Sequence, residues 1–246
     1  MNNRVLLVGA TDGIGRALAS CYLEEAWQVG VVGRDPDKLR RVTDELSERQ
    51  RGGRVVPVVC DVTEHVAVPD AFHRSLEGLG GLDLLVYCAG VRASAETAGG
   101  RYSAAAEMLD VNLAGAVQFL ELGADHFAAE GGGHLAAIGS VAGDWPRPRD
   151  PSYGASKAGL HSYLSGLRMR LRGSGIRVTT IKPGSVNTRM LSGDPPGAIE
   201  PEDAARRIQK RLSAGREVFY VPWWWLFVSL GLRLTPRWIL RRIIRD

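Results

Sequence analysis

The N-terminal segment combines a short apolar strand, a glycine-rich turn and the start of a helix. Arg4–Val8 is an apolar run that stops at Gly9, as a buried parallel strand would. The turn Gly9-Ala10-Thr11-Asp12-Gly13-Ile14-Gly15 follows, and a helical pattern opens at Arg16. Free backbone N–H groups and the helix dipole meet at such a turn and form a site for phosphate. The spacing is G-x3-G-x-G, and its place directly after the first strand favours nucleotide binding.

Apolar runs and helical patterns alternate along the rest of the chain, joined by short connections. This alternation predicts an α/β fold, with one doubly wound Rossmann-type domain whose seven-stranded parallel sheet is flanked by helices. That domain would occupy residues 1–222, followed by a Trp- and Arg-rich helical tail at 223–246. The predicted strands are 4–8, 28–32, 54–60, 83–88, 134–138, 177–182 and 217–221. The predicted helices are 16–25, 36–50, one that starts near 63, 102–127, 152–171 and 201–212.

The net positive charge of the chain lies in the tail. The formal net charge is +4, whereas residues 1–222 carry 26 basic and 26 acidic side chains. A neutral body without a basic stripe argues against nucleic-acid binding. The three cysteines Cys21, Cys60 and Cys88 lack metal-ligand spacing, and an odd number argues against a disulfide framework. No metal site is therefore predicted. The cysteines and the lack of a secretory signal favour a cytoplasmic protein.

The residues after the second strand bear on the choice of nucleotide. An acidic residue at this place marks NAD, whereas a nearby arginine marks the 2′-phosphate of NADP. Gly33 stands at the acidic position and Arg34 follows it, which favours NADP(H) over NAD(H). Arg16 can reach the same phosphate. Asp35 precedes a proline and is predicted to be the N-cap of the next helix.

Three further positions follow predicted strands or interrupt a predicted helix. Asp61 leaves two alternatives open, since it can accept a hydrogen bond from an adenine amino group or cap the helix near Thr63. Ala89 and Gly90 are small enough to let a cofactor approach the end of the fourth strand. Asn112 lies in an apolar helix, where an amide is usually either exposed or a satisfied structural group.

Tyr153 and Lys157 stand four residues apart in a segment predicted to be a helix capped by Ser152. They therefore lie one turn apart on the same face. A free tyrosine is a poor acid at neutral pH, but a cation beside it favours the phenolate and lowers its pKa. Ser140 follows the fifth strand and can orient a carbonyl or hydroxyl beside the phenol.

Together these residues resemble the short-chain dehydrogenase/reductase family over about residues 5–188. The resemblance implies that Tyr153 is the general acid in reduction and that Lys157 lowers its pKa and binds the nicotinamide ribose. It implies that Ser140 holds the substrate oxygen and that Asn112 supports a water chain to Lys157. The implied cofactor contacts are Gly9, Thr11, Asp12, Gly13, Ile14, Gly15, Arg16, Arg34, Asp61, Val62, Ala89, Gly90, Tyr153, Lys157, Pro183, Gly184, Val186 and Thr188.

Two positions depart from the family pattern. Where the family commonly has Asn-Asn-Ala-Gly, this chain has Tyr87-Cys88-Ala89-Gly90, so an asparagine that supports neighbouring strands is lost. Asp12 places an unusual negative charge in the phosphate turn, and it is better suited to cap the following helix than to face a phosphate.

The tail is rich in tryptophan, leucine and arginine. The uncharged run 218–232 has 15 residues, short of the roughly 20 that span a bilayer. Arginines follow this run, which suits a helix lying on anionic lipid. Alternatively the tail packs on a partner subunit or covers the substrate pocket. Residues 190–199 are rich in Gly and Pro and are expected to cover that pocket and move.

These features predict an NADP(H)-dependent oxidoreductase that reduces a carbonyl of an apolar or lipid-linked small molecule to a secondary alcohol. The resemblance also implies a homo-oligomer, and the tail implies membrane-surface contact through 223–246. Two alternatives are a non-catalytic nucleotide sensor on the same fold and a membrane-recruited interaction protein.

Overall fold

The computed structural model describes residues 3–48, 52–94, 96, 98–145, 148, 150–191, 193, 195, 197–236 and 238–240. Its strands are β1 (Arg4–Val8), β2 (Gln28–Gly33), β3 (Arg54–Val59), β4 (Leu84–Tyr87), β5 (Gly133–Ile138), β6 (Ile176–Pro183) and β7 (Val218–Val221). They form one seven-stranded parallel sheet in the order β3-β2-β1-β4-β5-β6-β7. The predicted sheet is thereby confirmed.

Helices cover both faces of the sheet, so the predicted doubly wound α/β fold is confirmed. The α-helices in the described part of the chain are α1 (Gly13–Glu24), α2 (Pro36–Ser47), α3 (Val68–Leu79), α4 (Arg101–Leu109), α5 (Gly115–Glu130), α6 (Pro151–Arg170), α7 (Pro201–Ser213) and α8 (Trp225–Leu234). Apolar residues of α1, α2 and α7 form the core on one face, and those of α3, α5 and α6 form the core on the other.

The winding direction changes between β1 and β4, which are neighbours in the sheet. Leu7 of β1 pairs with Val31 of β2 on one side and with Val86 of β4 on the other. Helices therefore leave the sheet in opposite directions here, and a crevice opens beyond the carboxyl ends of the two strands. The glycine turn after β1 lies at this crevice.

The predicted helix at 102–127 is interrupted by a π-helical turn, Asp110–Ala114, between α4 and α5. A π-turn inserts an extra residue into the helical repeat and often occurs at functional sites. Asn112 lies in this turn and is fully buried. The sequence pattern did not reveal the interruption, because a single extra residue barely disturbs an apolar periodicity.

Some helix starts differ from the sequence-based prediction. Helix α1 begins at Gly13, three residues before the predicted Arg16. The helix expected near Thr63 begins at Val68, because residues 61–67 form turns instead. Helix α6 begins at Pro151 with Asp150 as its N-cap, so the prediction that Ser152 is the cap is wrong. The Asp150 carboxylate accepts a hydrogen bond from the backbone N–H of Tyr153 at 3.3 Å. A proline at the first helical position is common, since its missing N–H would have no partner there.

The predicted caps at Asp12 and Asp35 are confirmed. Asp12 accepts from Gly13 N at 2.8 Å, and Asp35 accepts from the backbone N–H groups of Asp37 and Lys38 at 3.0 and 2.9 Å. Residues 49–50, at the end of the predicted second helix, lie outside the described residues.

Helix α8 lies in the tail and has 10 residues. Across the described ranges, no helix is both long and apolar enough to cross a membrane. A short helical turn at 238–240 follows α8, and residues 241–246 lie outside the described residues.

Candidate active site

The carboxyl ends of the central strands open into a cavity of about 1100 Å³. Most of the site residues predicted from the sequence line it, although they come from segments far apart in the chain. They are Gly9, Thr11, Asp12, Gly13, Ile14, Gly15, Arg34, Asp61, Val62, Ala89, Gly90, Ser140, Tyr153, Lys157, Pro183, Gly184, Val186 and Thr188. Two predicted site residues, Arg16 and Asn112, are not among the described residues that line the cavity.

The glycine turn packs so closely against the β4 loop that no side chain fits at its first position. Gly9 has a φ of +82°, and a Cβ there would lie 2.4 Å from the Cα of Ala89. A Cβ at Gly13 would lie 3.0 Å from Cγ2 of Thr188. The turn is thus packed between Ala89 and Thr188, and its residues line the cavity. These features fit the pyrophosphate of a dinucleotide at the N-terminus of α1.

Asp12 is held by two cations at the edge of the turn. Lys38 Nζ lies 2.8 Å and Arg189 Nε 3.2 Å from its Oδ2. Partial burial opposes ionisation, but hydrogen bonds from Lys38 and Gly13 outweigh it and lower the pKa of Asp12. Sequence reasoning missed Lys38, which also lines the cavity. Its position in the first turn of the helix after β2 was the available signal.

The end of β2 carries no acidic side chain, because Gly33 stands at that position. A Cβ on Gly33 would lie 2.5 Å from Cγ2 of Thr11, so an acidic side chain there would displace Thr11. Arg34 is exposed and lines the cavity near Lys38. Arg16 instead forms an ion pair with Glu45 of α2, which turns it away from the cavity.

Asp61 lines the cavity and caps a turn at the same time. Its Oδ1 accepts from the backbone N–H of Thr63 at 3.0 Å and from the Thr63 hydroxyl at 2.8 Å. The capping alternative is therefore right in kind, although the capped structure is a turn and not α3. The position at the cavity wall leaves the adenine contact open as well.

Asn112 joins two walls of the site through its side-chain amide. Its Oδ1 accepts from Val91 N at 2.7 Å, and its Nδ2 donates to Val91 O and to the Ser156 hydroxyl, both at 3.0 Å. It is thus a satisfied structural group that holds the β4 loop against α6. The Tyr87 hydroxyl donates to the carbonyl of Val111 at 2.6 Å, so Tyr87 supports the π-turn from the strand side.

Tyr153 and Lys157 lie on the buried face of α6, as their spacing predicted. Lys157 Nζ is 6.0 Å from the centroid of the Tyr153 ring and donates to the carbonyl of Ile138 at 2.9 Å. Burial lowers the pKa of Lys157 to about 8, with a small opposing effect from Cys88. The ammonium group is therefore close enough to stabilise a phenolate at Tyr153.

Ser140 leaves β5 directly beside this pair. Its hydroxyl oxygen accepts from Ala142 N at 3.1 Å and so caps a short 3₁₀ turn, Val141–Gly143. A serine hydroxyl that accepts a bond in this way still carries a proton to donate. Ser140, Tyr153 and Lys157 all face the same cavity, and Gly90 of the loop after β4 lies next to Lys157.

Part of the cavity wall comes from the tail. A tail that covers the pocket was one alternative from the sequence, but no residue was named for it. Trp225 and Leu232 of α8 line the cavity. Trp225 stacks on Trp145, with 6.4 Å between ring centroids and 15° between planes. A Cβ on Gly184 would lie 1.9 Å from Trp225 Nε1, so this glycine also makes room for the tail.

The fold and the site are those of a nucleotide-dependent α/β oxidoreductase. The sheet is parallel, a glycine turn lies at its switch point, and Ser, Tyr and Lys side chains lie beside that turn. Residues 3–197 match the short chain dehydrogenase family, and the chain belongs to that family. It is an NAD(P)-dependent oxidoreductase, as the resemblance implied.

The chain is also similar to individual proteins over most of its length. It is 31% identical to an uncharacterized oxidoreductase of Staphylococcus aureus over 216 residues, 87% of this chain and 92% of the relative. It is 30% identical to an uncharacterized oxidoreductase of Mycobacterium tuberculosis over 242 residues, 95% of this chain and 94% of the relative. The chain shares its fold with a short chain dehydrogenase of Burkholderia cenocepacia that was solved in complex with NADP. The two structures superpose with a TM-score of 0.82 at 23% identity, over 100% of this chain and 98% of the other.

Proposed function

We propose that this protein reduces a ketone to a secondary alcohol at the expense of NADPH. The observation that carries the proposal is the buried Lys157 ammonium beside Tyr153, on the helix wall that faces the phosphate turn. When bound, the reduced nicotinamide supplies a hydride to the carbonyl carbon. Tyr153 donates its phenolic proton to the oxygen, and the Ser140 hydroxyl holds that oxygen by a hydrogen bond.

Lys157 and Asn112 support this proton transfer in different ways. Lys157 stabilises the phenolate that remains after transfer, because its charge is close and both groups are shielded from water. Lys157 also binds the nicotinamide ribose. Asn112 holds Val91 and Ser156 in place, and in the proposal the π-turn around it supports the water chain that returns a proton through Lys157.

The cofactor preference proposed is for NADP(H). Gly33 leaves no acidic group to accept from a ribose 2′-hydroxyl, and Arg34 and Lys38 place two cations at this end of the cavity. A 2′-phosphate is a good partner for such a pair, because charge-assisted hydrogen bonds are about twice as strong as neutral ones.

With ketone substrates, kcat/KM is expected to be higher with NADPH than with NADH. Arg34→Ser should raise the KM for NADPH by about 10- to 100-fold and leave that for NADH nearly unchanged, since one charged hydrogen bond contributes about 1.5–3 kcal/mol. The measurement is the initial rate of coenzyme oxidation with a series of ketones.

The matched control for Arg34 is Arg40→Ser, because Arg40 lies on α2, is 73% exposed in its side chain and pairs only locally with Asp37. The KM for NADPH should not change in this control. Equal rates with both coenzymes, unaffected by Arg34→Ser, would refute the cofactor proposal. No turnover of any ketone would refute the proposed reaction.

The substrate proposed is apolar. The lining of the cavity includes the large apolar side chains of Trp145, Met190, Leu191, Trp225 and Leu232. Burial of an apolar group there is worth about 25 cal/mol per Å² of surface removed from water. A ketone with a long or cyclic hydrocarbon body fits this wall better than a polar sugar.

We further propose that the outer face of the tail contacts an anionic lipid surface. Trp225, Ser229 and Leu232 turn toward the body at helical spacing, whereas the other side of α8 is apolar and exposed. Trp223 is 57% and Phe227 62% exposed, and the two rings contact each other edge to face. Arg233 and the later arginines supply the positive charge that anionic headgroups attract.

Trp223→Ser with Phe227→Ser is expected to lower binding to anionic vesicles at least about tenfold, since each aromatic group contributes about 1.5–3 kcal/mol when buried. The measurement is co-sedimentation with phosphatidylcholine vesicles with and without phosphatidylglycerol. Tyr102→Ser is the control, because Tyr102 is an aromatic side chain that is 86% exposed and belongs to α4, not to the tail. If the face instead joins two copies into the proposed homo-oligomer, the double variant will halve the mass in gel filtration and leave sedimentation unchanged. That outcome excludes the lipid surface.

A further inference from the structure

A buried carboxylate, Asp144, collects hydrogen bonds from four separate elements next to the active site. Its side chain is only 2% exposed, and Lys182 Nζ of β6 lies 2.6 Å from Oδ1. Tyr220 of β7 donates to Oδ2 at 2.8 Å, and Ser229 of α8 donates to the same oxygen at 3.0 Å. His161 Nδ1 of α6 lies 3.5 Å from Oδ1. Asp144 directly follows the 3₁₀ turn that Ser140 caps.

His161 connects this carboxylate to the serine. It stands one helical turn after Lys157, and its Nε2 accepts from the backbone N–H of Ser140 at 3.4 Å. A neutral imidazole has one N–H and one lone pair, so an N–H at Nδ1 directed to Asp144 leaves Nε2 as the acceptor that Ser140 requires. The ring is also enclosed, because a Cβ on Gly139 or Gly143 would lie 2.4 or 2.8 Å from its atoms.

The other side of the carboxylate reaches the tail. Ser229 is fully buried, although most of α8 around it is exposed. Its hydroxyl bonds to Asp144, and the adjacent Trp145 stacks on Trp225 one turn earlier in α8. Two successive residues of the loop after Ser140 are thereby attached to α8.

We propose that Asp144 is a positioning residue, which transmits the docking of α8 to Ser140 through the orientation of His161. Lys182 neutralises the carboxylate, and Tyr220 and Ser229 fix the direction of its second oxygen. The tail is then a component of the active site, and Ser140 is aligned to hold a substrate oxygen only when α8 is in place. This role rests on the proposed ketone reduction.

The first test uses steady-state kinetics of Ser229→Ala and His161→Phe, alone and combined. Each variant should lower kcat for a small ketone by about three- to tenfold, while the KM for the ketone and the Kd for NADPH change less than twofold, because no contact with either is removed. Both substitutions act through one carboxylate, so the double variant should lose little more than His161→Phe alone. Additive losses, or an unchanged kcat in both single variants, would overturn the proposal.

Matched variants separate this coupling from general damage. Thr235→Ala removes another tail hydroxyl, which bonds to Gly231 O in the same helix, and should leave kcat unchanged. Tyr220→Phe removes a donor to Asp144 without a change of shape and should behave like Ser229→Ala, even if His161→Phe folds poorly.

A second readout does not depend on activity. Hydrogen–deuterium exchange of the peptide that covers 139–144 should become about tenfold faster in Ser229→Ala, since the Ser140 amide loses its fixed acceptor, and should be unchanged in Thr235→Ala. Faster exchange in an enzyme that reduces no ketone would leave the coupling intact and refute only the proposed function. Unchanged exchange in an active Ser229→Ala enzyme would refute the coupling alone.

Discussion

Tyr153→Phe is expected to lower kcat for ketone reduction by about 10²- to 10⁴-fold, the usual contribution of a positioned general acid. The substitution removes the phenolic proton and keeps the ring that lies 6.0 Å from Lys157 Nζ. Tyr153 is 9% exposed and faces the cavity, so water cannot readily replace the lost donor in the required geometry. The measurement is the rate of NADPH oxidation with a ketone at saturating concentrations of both.

NADPH should still bind to Tyr153→Phe with nearly unchanged affinity, which fluorescence titration can show. The control is Tyr163→Phe on the same helix, where the hydroxyl donates to Glu121 of α5 at 2.6 Å and does not line the cavity. That variant should retain wild-type turnover. If Tyr153→Phe remains as active as Tyr163→Phe, Tyr153 is not the general acid and the mechanism proposed above is wrong.

The fold followed from the sequence because its signals are local. Each strand is a short apolar run next to a glycine or a polar residue, and a parallel sheet buried on both faces requires little more. The predicted β1 matches the structure residue for residue, and the ends of the other strands shift by at most one position. The caps at Asp12 and Asp35 were also predictable, since each depends only on the next three residues.

Features that depend on competition between nearby groups were harder to predict. Ser152 and Asp150 are both good capping residues, and the structure uses the one that precedes Pro151. Asp61 satisfies Thr63 within a turn, and α3 starts only at Val68. In each case the sequence offers more than one pairing between a capping side chain and a nearby backbone N–H, and it does not show which pairing forms.

The side chains proposed to be catalytic were found through their resemblance to a family pattern, whereas the residues that support them were not. Lys38, Trp225 and Asp144 belong to no motif, and each acquires its role from segments distant in sequence. Asp144 and Ser229 are separated by 85 positions, yet share a hydrogen bond. Only the packing of α8 against the body brings them together. The composition of the tail can be read from the sequence, but its contacts with the body cannot.

Lys157→Met is expected to abolish most turnover and, unlike an ordinary active-site change, to stabilise the protein without cofactor. Burial lowers the pKa of Lys157 from 10.5 to about 8, so the folded protein holds a charge at neutral pH that burial disfavours. Each unit corresponds to about 1.4 kcal/mol. Loss of the bond to Ile138 O offsets about 1 kcal/mol of that gain. A pKa lowered by about 2.5 corresponds to about 3.5 kcal/mol, so a net gain of about 2.5 kcal/mol would raise the Tm by roughly 5–10 °C in a chain of this size.

The stabilisation should depend on pH in a defined direction. Below pH 8 Lys157 is protonated in both states and the full cost of burying its charge is present. Between about 8 and 10.5 the unfolded chain binds one more proton than the folded chain, so the stability of the wild type rises relative to the variant. The difference in Tm should therefore shrink from about pH 7 to about pH 10 in calorimetric scans. Lys210→Met, at an exposed position of α7, should show no such difference at either pH. The opposite outcome is a Lys157→Met protein that is less stable than wild type by the same amount at both pH values. That outcome would show that burial of the Lys157 charge does not destabilise the folded protein.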